Sequence, residues 1–239
     1  MEKTLEITGI RDETHDVKTF RLKSDEKIGF IPGQYALFSF ADKEDFENEA
    51  RPFTFANSPT VKDYIEITVK KMGKFTSALH SSRKGDKLKL SGPGGESLNF
   101  DENIKDDVVF IAGGSGITPF MSSLRYAAAK GLANNFTLLF SNRAKDDIIY
   151  HKELGEMNER GNMKVVHTLT KKAPKDWNGE QGRINADMIK KHVDSPKGRL
   201  WYICAPPPMV HAMEKILKDM DIPEEKLKFE DWQIKGKHD

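Results

Sequence analysis

The sequence predicts an antiparallel β-barrel followed by a doubly wound α/β domain with a parallel sheet. Three observations predict this fold. Short runs of alternating apolar and polar residues fill the first part of the chain. A continuous apolar run, Val108–Ala112, then opens a region where strands alternate with helices, and an acidic stretch at 101–107 separates the two patterns. Alternating runs are typical of antiparallel sheets, and continuous apolar runs of buried parallel strands. We therefore predict domains at residues 1–103 and 104–239.

The first predicted domain consists of short strands separated by turns. Period-two alternation predicts strands at residues 5–10, 17–22, 35–40, 64–69 and 87–90. Glycine and proline mark the turns, at Pro32-Gly33 and over residues 92–95. A short helix is expected from Phe75 to Ser82, and the acidic residues 41–50 are expected to form a loop. Many short strands of this kind are typical of an antiparallel barrel or sandwich.

The second predicted domain alternates apolar runs with helical patterns. We expect strands at residues 108–112, 136–140, 164–168, 200–204 and 227–230. Helices are expected between them, at residues 118–130, 151–160, 186–192 and 208–220. The polar stretch 171–182 is predicted to be a surface loop. Strands that alternate with helices favour a parallel sheet with helices on both faces.

Composition excludes several classes of function. The chain has 239 residues and a net charge of +1, which argues against general binding to nucleic acid or to a membrane surface. No apolar run approaches the ~18 residues of a membrane span, and the first residues lack the features of a signal peptide. Cys204 is the one cysteine, so this chain forms no internal disulfide and cannot supply the roughly four thiolates of an iron–sulfur cluster. A reducing, cytoplasmic setting is therefore expected. The histidines show no metal-ligand spacing with carboxylates or the cysteine, so no metal site is expected.

Two segments of the second domain point to a phosphate-bearing ligand. Gly114-Ser-Gly116-Ile-Thr-Pro119 lies between a buried strand and a helix. Glycines there let the backbone approach a pyrophosphate, and a helix N-terminus offers free N–H groups. Cys204-Ala-Pro-Pro207 follows another buried strand. Ligands of open α/β sheets bind beyond the carboxyl ends of strands, so both segments are expected at one crevice. Taken alone, the first segment is equally consistent with a tight strand-to-helix turn that binds no ligand. Taken alone, Cys204 is consistent with a cysteine that packs as a small buried apolar residue.

Two further segments lie in the first domain. Arg51-Pro-Phe53-Thr54 offers a guanidinium, an aromatic ring and a hydroxyl within one short stretch. In a strand, Arg51 and Phe53 share one face and Thr54 lies on the other. Arginine suits a phosphate, and phenylalanine can stack on a flat ring. Gly73-Lys-Phe-Thr76-Ser77-Ala-Leu79 opens a short helix with two hydroxyls, which suits an N-cap, a phosphate site or both.

These segments together resemble the ferredoxin–NADP reductase superfamily over nearly the whole chain. Six motifs occur in the family's order, and an aromatic and acidic tail, Phe229-Glu-Asp-Trp232, follows them. The motifs are Pro32-Gly-Gln-Tyr35, Arg51-Pro-Phe-Thr54, Gly73-x-x-Thr76-x-x-Leu79, Gly92-Pro-x-Gly95, Gly114-x-Gly116-x-x-Pro119 and Cys204-x-Pro-Pro207. The resemblance implies an FAD-binding barrel, a domain that binds NAD(P)H, and hydride transfer from nicotinamide C4 to flavin N5.

The resemblance also implies roles for individual residues of the first domain. Arg51 would hold a flavin phosphate, Phe53 would pack on the flavin, and Thr54 would hydrogen-bond N5. Pro52, between them, is a further expected cofactor-binding residue. Three residues of one strand, Ile67, Val69 and Lys70, would line the ribityl chain. The FAD pyrophosphate would be bound by Gly73, Lys74, Phe75, Thr76 and Ser77.

In the second domain, the implied roles concern the nicotinamide coenzyme. Its pyrophosphate and ribose would be bound by Gly114, Ser115, Gly116, Thr118 and Pro119. Cys204 would lie near nicotinamide C4, with Pro206 beside it, and Glu230 and Trp232 would lie near the other face of the flavin. Thr54, Cys204 and Glu230 are the expected catalytic residues. Ser141 and Arg143 are the candidates for a 2′-phosphate of NADPH, although Arg143 is equally consistent with an arginine over adenine or in solvent.

The chain departs from the family's pattern at two positions. The family usually has tyrosine where this chain has Phe53, so a hydroxyl contact to the ribityl chain is lost while the ring remains. It usually has glycine where this chain has Ala205, and the added methyl group would crowd the nicotinamide.

The expected function is transfer of electrons from NAD(P)H through bound FAD to a separate acceptor, either a protein (ferredoxin, flavodoxin or an oxygenase component) or a small molecule. The single cysteine excludes an attached iron–sulfur domain within this chain and disfavours the electron-transfer subunit of dihydroorotate dehydrogenase. One alternative is a flavin or ferric reductase that uses free flavin as a substrate. Another is a non-catalytic interaction module on the same scaffold. The oligomeric state is not predicted.

Overall fold

The computed structural model describes residues 2–46, 49–171 and 173–229. Its internal contacts divide the chain into two compact units. The first unit contains the described residues up to Glu102 together with Thr118–Gly131. The second contains Asn103–Ile117 and the described residues from Leu132 onward. Helix Thr118–Lys130 therefore groups with the strands of the first unit, although it follows the predicted boundary at residues 103 and 104 in the chain.

The first unit is built on an antiparallel six-stranded sheet with the strand order β4-β3-β6-β1-β2-β5. Its strands are β1 (Glu2–Thr14), β2 (Val17–Lys23), β3 (Tyr35–Phe40), β4 (Arg51–Thr54), β5 (Ile65–Lys70) and β6 (Lys87–Gly94). Its helices are α1 (Lys74–His80) and α2 (Thr118–Lys130). The apolar side of the alternating strands forms one core, which includes Leu5, Phe20, Phe38 and Ile67. The alternation predicted from the sequence thus places the apolar residues on one buried face. On β5 the polar residues Glu66 and Thr68 are buried as well.

The second unit is built on a parallel six-stranded sheet with the order β10-β9-β8-β7-β11-β12. Its strands are β7 (Val108–Gly113), β8 (Phe136–Asn142), β9 (Met163–Leu169), β10 (Glu180–Gln181), β11 (Leu200–Cys204) and β12 (Leu227–Phe229). Its helices are α3 (His151–Asn158), α4 (Ala186–His192) and α5 (Pro207–Asp219). Every residue of β7 and β11 is buried, as the continuous apolar runs predict.

The predicted fold class is confirmed, an antiparallel sheet followed by a parallel sheet with helices. Two predicted loops contain more structure than the sequence indicated. A 3-10 turn, Glu44–Phe46, lies within the acidic stretch 41–50 and buries Phe46 against Phe40 and Phe75. Strand β10 lies within the polar stretch 171–182 and pairs with the end of β9. A pair of residues is too short to produce a detectable alternation, so β10 was not predicted.

Candidate functional site

The candidate flavin-binding residues of the first unit surround one aromatic cluster between β4 and α1. Phe53 is half-buried and packs against the core. Its ring centroid lies 6.0 Å from that of Phe38 and 6.2 Å from that of Phe75. The guanidinium of Arg51 lies 5.6 Å from the centre of the Phe75 ring. Arg51 and Phe53 therefore lie beside the same helix, as their shared strand face predicts.

The Arg51 guanidinium lies at the protein surface and has two partners. It donates one hydrogen bond of 2.8 Å to Oε2 of Glu49 and another of 3.0 Å to the carbonyl of Ala50. Arg51 is exposed and Glu49 is half-buried, so solvent screens this ion pair and it contributes little to stability. The guanidinium is consequently open to exchange of Glu49 for a stronger anionic partner such as a phosphate.

The turn that precedes α1 is closed by Thr76. The hydroxyl oxygen of Thr76 accepts hydrogen bonds from the backbone N–H groups of Met72 (2.8 Å) and Gly73 (3.0 Å). Gly73 itself is exposed, and a Cβ atom placed on it would meet no atom within 4 Å. The backbone at this turn is therefore accessible to a ligand, which is the property that a pyrophosphate site requires.

Strand β5 presents its predicted site residues in two ways. Ile67 and Val69 are fully buried in the core, so only their backbone atoms remain available to a ligand. Lys70 is half-buried, and its ammonium group lies 3.0 Å from Oδ2 of Asp16. Burial opposes ionisation of Asp16, but hydrogen bonds from Lys70 and Thr14 outweigh it and lower the pKa of the Asp16 carboxyl. Lys70 thus has a fixed position at the end of the strand.

A buried charge cluster beside these residues was not predicted from the sequence. Glu66 on β5 is 5% exposed and accepts hydrogen bonds from Nε and Nη2 of Arg21, at 3.1 and 2.9 Å. Arg125 on α2 lies 3.5 Å from its other oxygen and donates a 2.7 Å hydrogen bond to the carbonyl of Ala56. Together these contacts fix α2 to β5. In the sequence, Glu66 occupies a polar position of an alternating strand, so nothing in its neighbouring residues distinguishes it from a solvent-exposed glutamate.

In the second unit, the glycine segment after β7 contacts the end of β11. A Cβ atom on Gly116 would lie 2.1 Å from the carbonyl oxygen of Cys204, so only glycine fits there without movement. Gly114 has φ of +53°, and a Cβ on it would meet no atom within 4 Å. Hence Gly116 provides close backbone packing, and Gly114 provides half-buried backbone with open space beside it. Cys204 is buried, and its strand pairs with β7 through Ala112.

Ala205, one of the two departures from the family pattern, lies in the interior of the second unit. A Cβ on Gly113 would lie 3.0 Å from the methyl group of Ala205 and 3.0 Å from Cδ of Pro206. The methyl group of Ala205 therefore lies beside Gly113 in the core of this unit. Pro206 is exposed and precedes α5, whose first residue, Pro207, fits a helix start.

The end of β8 carries the candidate residues for coenzyme selection. Ser141 is 9% exposed, and Arg143 is exposed, with its carbonyl bonded to the N–H of Lys171. Between them, Asn142 is 5% exposed, and both atoms of its side-chain amide are buried without a hydrogen-bond partner. A buried amide in this state costs free energy unless a water molecule or ligand satisfies it. Asn142 was not predicted from the sequence, because asparagine is common where a strand ends in a turn.

The remaining predicted site residues fall in three groups. Thr54 is half-buried at the end of β4 and pairs with Tyr35 on β3. Ser115 lies in the 3-10 turn Gly114–Ile117, and Thr118 and Pro119 form the buried first turn of α2. Glu230 and Trp232 lie outside the described residues, so the structure gives no position for them.

Two surveys of the described residues bear on other classes of function. Within residues 2–46, 49–171 and 173–229, no group of three or more His, Cys, Asp or Glu side chains could hold a metal ion. Over the same part of the chain, no helix has the length and apolar character needed to cross a membrane.

Two protein families match the chain in succession. The oxidoreductase FAD-binding domain family matches residues 4–98, and the oxidoreductase NAD-binding domain family matches residues 110–215. The chain belongs to the ferredoxin–NADP reductase superfamily and is an FAD- and NAD-binding oxidoreductase. Its cofactors are FAD and NAD(P)H, and the open backbone at Gly73 and Gly114 fits phosphate-bearing groups of this kind.

Individual relatives agree with this assignment. NADH-cytochrome b5 reductase 2 from Mycosarcoma maydis is 32% identical over 222 residues, which cover 85% of this chain and 61% of that protein. The glycine betaine monooxygenase reductase subunit from Pseudomonas aeruginosa is 32% identical over 213 residues, covering 86% of this chain and 57% of that protein. This chain therefore spans about three fifths of these relatives' length.

A solved structure shows the same fold. It is a ferredoxin NADP+ reductase from Neisseria gonorrhoeae with bound FAD and NADP, with a TM-score of 0.82 and 20% identity. The alignment covers 96% of this chain and 98% of that one.

Proposed function

We propose that this chain oxidises NAD(P)H, holds FAD as a prosthetic group and passes electrons to a separate acceptor. The observation that carries the proposal is the arrangement of Arg51, Phe53 and Phe75 around the exposed turn at Gly73. A cation, an aromatic ring and an accessible backbone turn lie together in one unit. This is the set of groups that a flavin with a pyrophosphate requires.

In the first unit, each residue has a proposed task. The exposed Arg51 guanidinium would exchange Glu49 for a flavin phosphate. Pro52 would hold the backbone of β4 next to Arg51. The turn before α1 would offer the N–H group of Lys74 to the pyrophosphate, and that of Gly73 once the Thr76 hydroxyl releases it. The hydroxyls of Thr76 and Ser77 would support the pyrophosphate, with Phe75 anchoring the helix in the core. Ile67, Val69 and Lys70 contribute backbone atoms and one ammonium group along the ribityl chain.

In the second unit and at the start of α2, the tasks concern the coenzyme. Gly114, Ser115 and Gly116 present backbone to its pyrophosphate, and Thr118 and Pro119 begin the helix that follows. Cys204 and Pro206 would line the nicotinamide site. Ser141 and Arg143 would lie at the ribose that carries the 2′-phosphate in NADPH. Glu230 and Trp232 are proposed for the other face of the flavin from the motif alone.

The protein's part in this reaction is to position groups and to exclude water. When bound, FAD accepts a hydride from the nicotinamide and supplies electrons for the acceptor. The Thr54 hydroxyl would donate a hydrogen bond to the reacting nitrogen, and the Phe53 ring would pack on the flavin. Hydride transfer needs no general base, which agrees with a site built from a hydroxyl, rings and backbone.

We infer a protein acceptor of the electron-transfer type. This inference rests on the relatives: one is by name a reductase of cytochrome b5, and another is the reductase subunit of an oxygenase. The competing function, reduction of free flavin, is favoured by one observation. The Thr76 hydroxyl and the Arg51 guanidinium already have partners within the protein, so FAD must displace or share them.

The visible absorption spectrum of the protein as purified tests the proposal. Flavin bands at about one FAD per chain, bleached by anaerobic NADH or NADPH, are the expected result. Comparing the two coenzymes in that titration determines the donor. A colourless protein that oxidises NAD(P)H only when free flavin is added would replace the proposal with the flavin-reductase function.

A further inference from the structure

A second cavity lies in the second unit, away from the residues assigned to the coenzyme. Its volume is about 550 Å³, within the range of small-molecule sites. It lies along β9 between α3, the loop before β10 and the end of α4. Its lining includes none of the glycine segment after β7, Ser141, Arg143 or Cys204. The cavity is therefore a different site from the proposed coenzyme crevice.

One wall of the cavity is aromatic. The ring centroid of His167 on β9 lies 5.5 Å from that of His151 and 6.4 Å from that of Trp177. The Trp177 ring is held in place, because its Nε1–H donates a 2.9 Å hydrogen bond to the carbonyl of Glu180. A Cβ on Gly179 would lie 2.6 Å from both the Trp177 ring and the His167 carbonyl, so the loop is tightly packed. The planes of His167 and Trp177 are tilted by 58°, so the two rings form no parallel slot. The half-buried Trp177 ring, which lines the cavity, is the surface available to a planar ligand.

The lining of the cavity also carries charge. Nζ of Lys164 donates a 2.9 Å hydrogen bond to the carbonyl of His192. Because that partner is neutral, the ammonium charge is not offset by a carboxylate among the described residues. The carboxylate of Glu180, by contrast, is engaged by Lys191 and His192, both at 2.7 Å. Asp176 lies 3.7 Å from Lys145. The carboxylates of Glu180 and Asp176 are therefore paired with other cations, and the ammonium group of Lys164 can attract an anion.

His167 contributes a further polar atom. Its Nδ1 is buried and has no hydrogen-bond partner. Burial and the neighbouring His151 lower the pKa of His167 to about 4, so the ring is neutral at physiological pH. A neutral imidazole beside Trp177 can stack on an aromatic ligand without a cost from a buried charge.

We propose that this cavity binds a small planar aromatic anion, with its ring packed on Trp177 and its anionic group at Lys164. The site is independent of the proposed electron transfer, since it shares no residue with it. An aromatic carboxylate has the required shape and charge. Its ring fits the aromatic wall and its carboxylate can accept a charge-assisted hydrogen bond from Lys164.

Isothermal titration of the FAD-loaded protein with 2-naphthoate, with EDTA present to exclude metal bridging, tests the proposal. We expect one site per chain and binding at least about fivefold weaker for uncharged 2-naphthamide. Lys164→Gln should weaken 2-naphthoate by at least about fivefold, and Trp177→Leu should weaken both probes. Lys152→Gln, at an exposed lysine on α3 outside the cavity, is the matched control and should change neither.

Oxidised coenzyme separates this site from the proposed coenzyme site. Saturating NAD+ or NADP+ should leave the affinity for 2-naphthoate unchanged, and the variants should keep their FAD content and melting temperature. The proposal is overturned by no binding at millimolar probe, by competition with the coenzyme, or by equal affinity in Lys164→Gln and the parent protein. None of these outcomes depends on whether NAD(P)H reduces the bound flavin.

Discussion

Gly116 and Cys204 lie in direct backbone contact although 88 residues separate them, since a Cβ on Gly116 would lie 2.1 Å from the Cys204 carbonyl oxygen. The contact joins the turn after β7 to the end of β11, two neighbouring strands of the parallel sheet. It brings the glycine motif and the cysteine motif to the same carboxyl edge, where ligands of open α/β sheets bind.

Gly116→Ala tests this contact. The added methyl group must displace backbone, so we expect a loss of about 1–3 kcal/mol in unfolding free energy and a higher KM for NAD(P)H. Denaturant melts and steady-state kinetics measure the two effects. Gly155→Ala is the control, because its Cβ meets nothing within 4 Å in helix α3 and should raise stability by about 0.5–1 kcal/mol. An unchanged unfolding free energy and an unchanged KM for Gly116→Ala would show that the turn can shift away from Cys204 without cost.

Arg51→Gln tests the phosphate role of the exposed guanidinium. Loss of a charge-assisted bidentate contact should weaken FAD binding by about tenfold or more, measured by titrating FAD into apoprotein. The FAD affinity of Arg51→Lys should lie between those of the parent protein and Arg51→Gln, because an ammonium keeps the charge but cannot bind in the same forked geometry. Arg160→Gln, another exposed arginine, is the control. Equal FAD affinity in all four proteins would remove Arg51 from the site.

Glu49→Gln approaches the same contact from the other side. Glu49 holds Arg51 at 2.8 Å, so its neutralisation should leave Arg51 more available and strengthen FAD binding by up to about fivefold. The same titration measures it. Weaker binding instead would mean that Glu49 orients Arg51 for the phosphate.

Thr54→Val removes the hydroxyl proposed to face the reacting nitrogen while keeping the side-chain shape. We expect reduction of bound FAD by NAD(P)H to slow by about tenfold, because one hydrogen bond is lost in the transition state. Stopped-flow absorbance measures the rate, and Thr54→Ser should stay near the parent value. If Thr54→Val reduces FAD at the parent rate with full FAD content, Thr54 is a structural residue.

His167 should make the protein less stable in mild acid. Its pKa is lowered from 6.5 to about 4 in the folded chain, first by burial and then by the charge of His151. Between these values the unfolded chain binds a proton that the folded chain does not. The stabilising contribution of neutral His167 to the free energy of unfolding is therefore fully present above pH 6.5. It falls by about 3 kcal/mol as the pH drops to about 4.

Denaturant melts from pH 7.5 to 4 measure this dependence. His167→Gln should flatten the profile, whereas replacement of the exposed His211 should leave its slope unchanged. A parent-like slope in His167→Gln would assign the acid sensitivity to other groups.

Local patterns determined both the fold class and the position of the motifs in it. The apolar runs of β7 and β11 predict a buried parallel sheet, and the glycines at 114 and 116 mark the turn beyond it, because burial on both faces and close backbone approach each leave a signature in neighbouring residues. The same holds for Arg51 and Phe53, whose common side follows from the period of a strand.

Only the tertiary structure decided which distant groups meet. Arg125 reaches Glu66, Phe53 packs on Phe75, and Lys164 and Trp177 line one cavity. None of these contacts has a local signature, since each depends on how strands and helices far apart in the chain are packed. The sequence by itself determined the class of fold and the family, whereas chain packing decided which atoms of Ile67 and Val69 remain accessible and where the buried charges find partners.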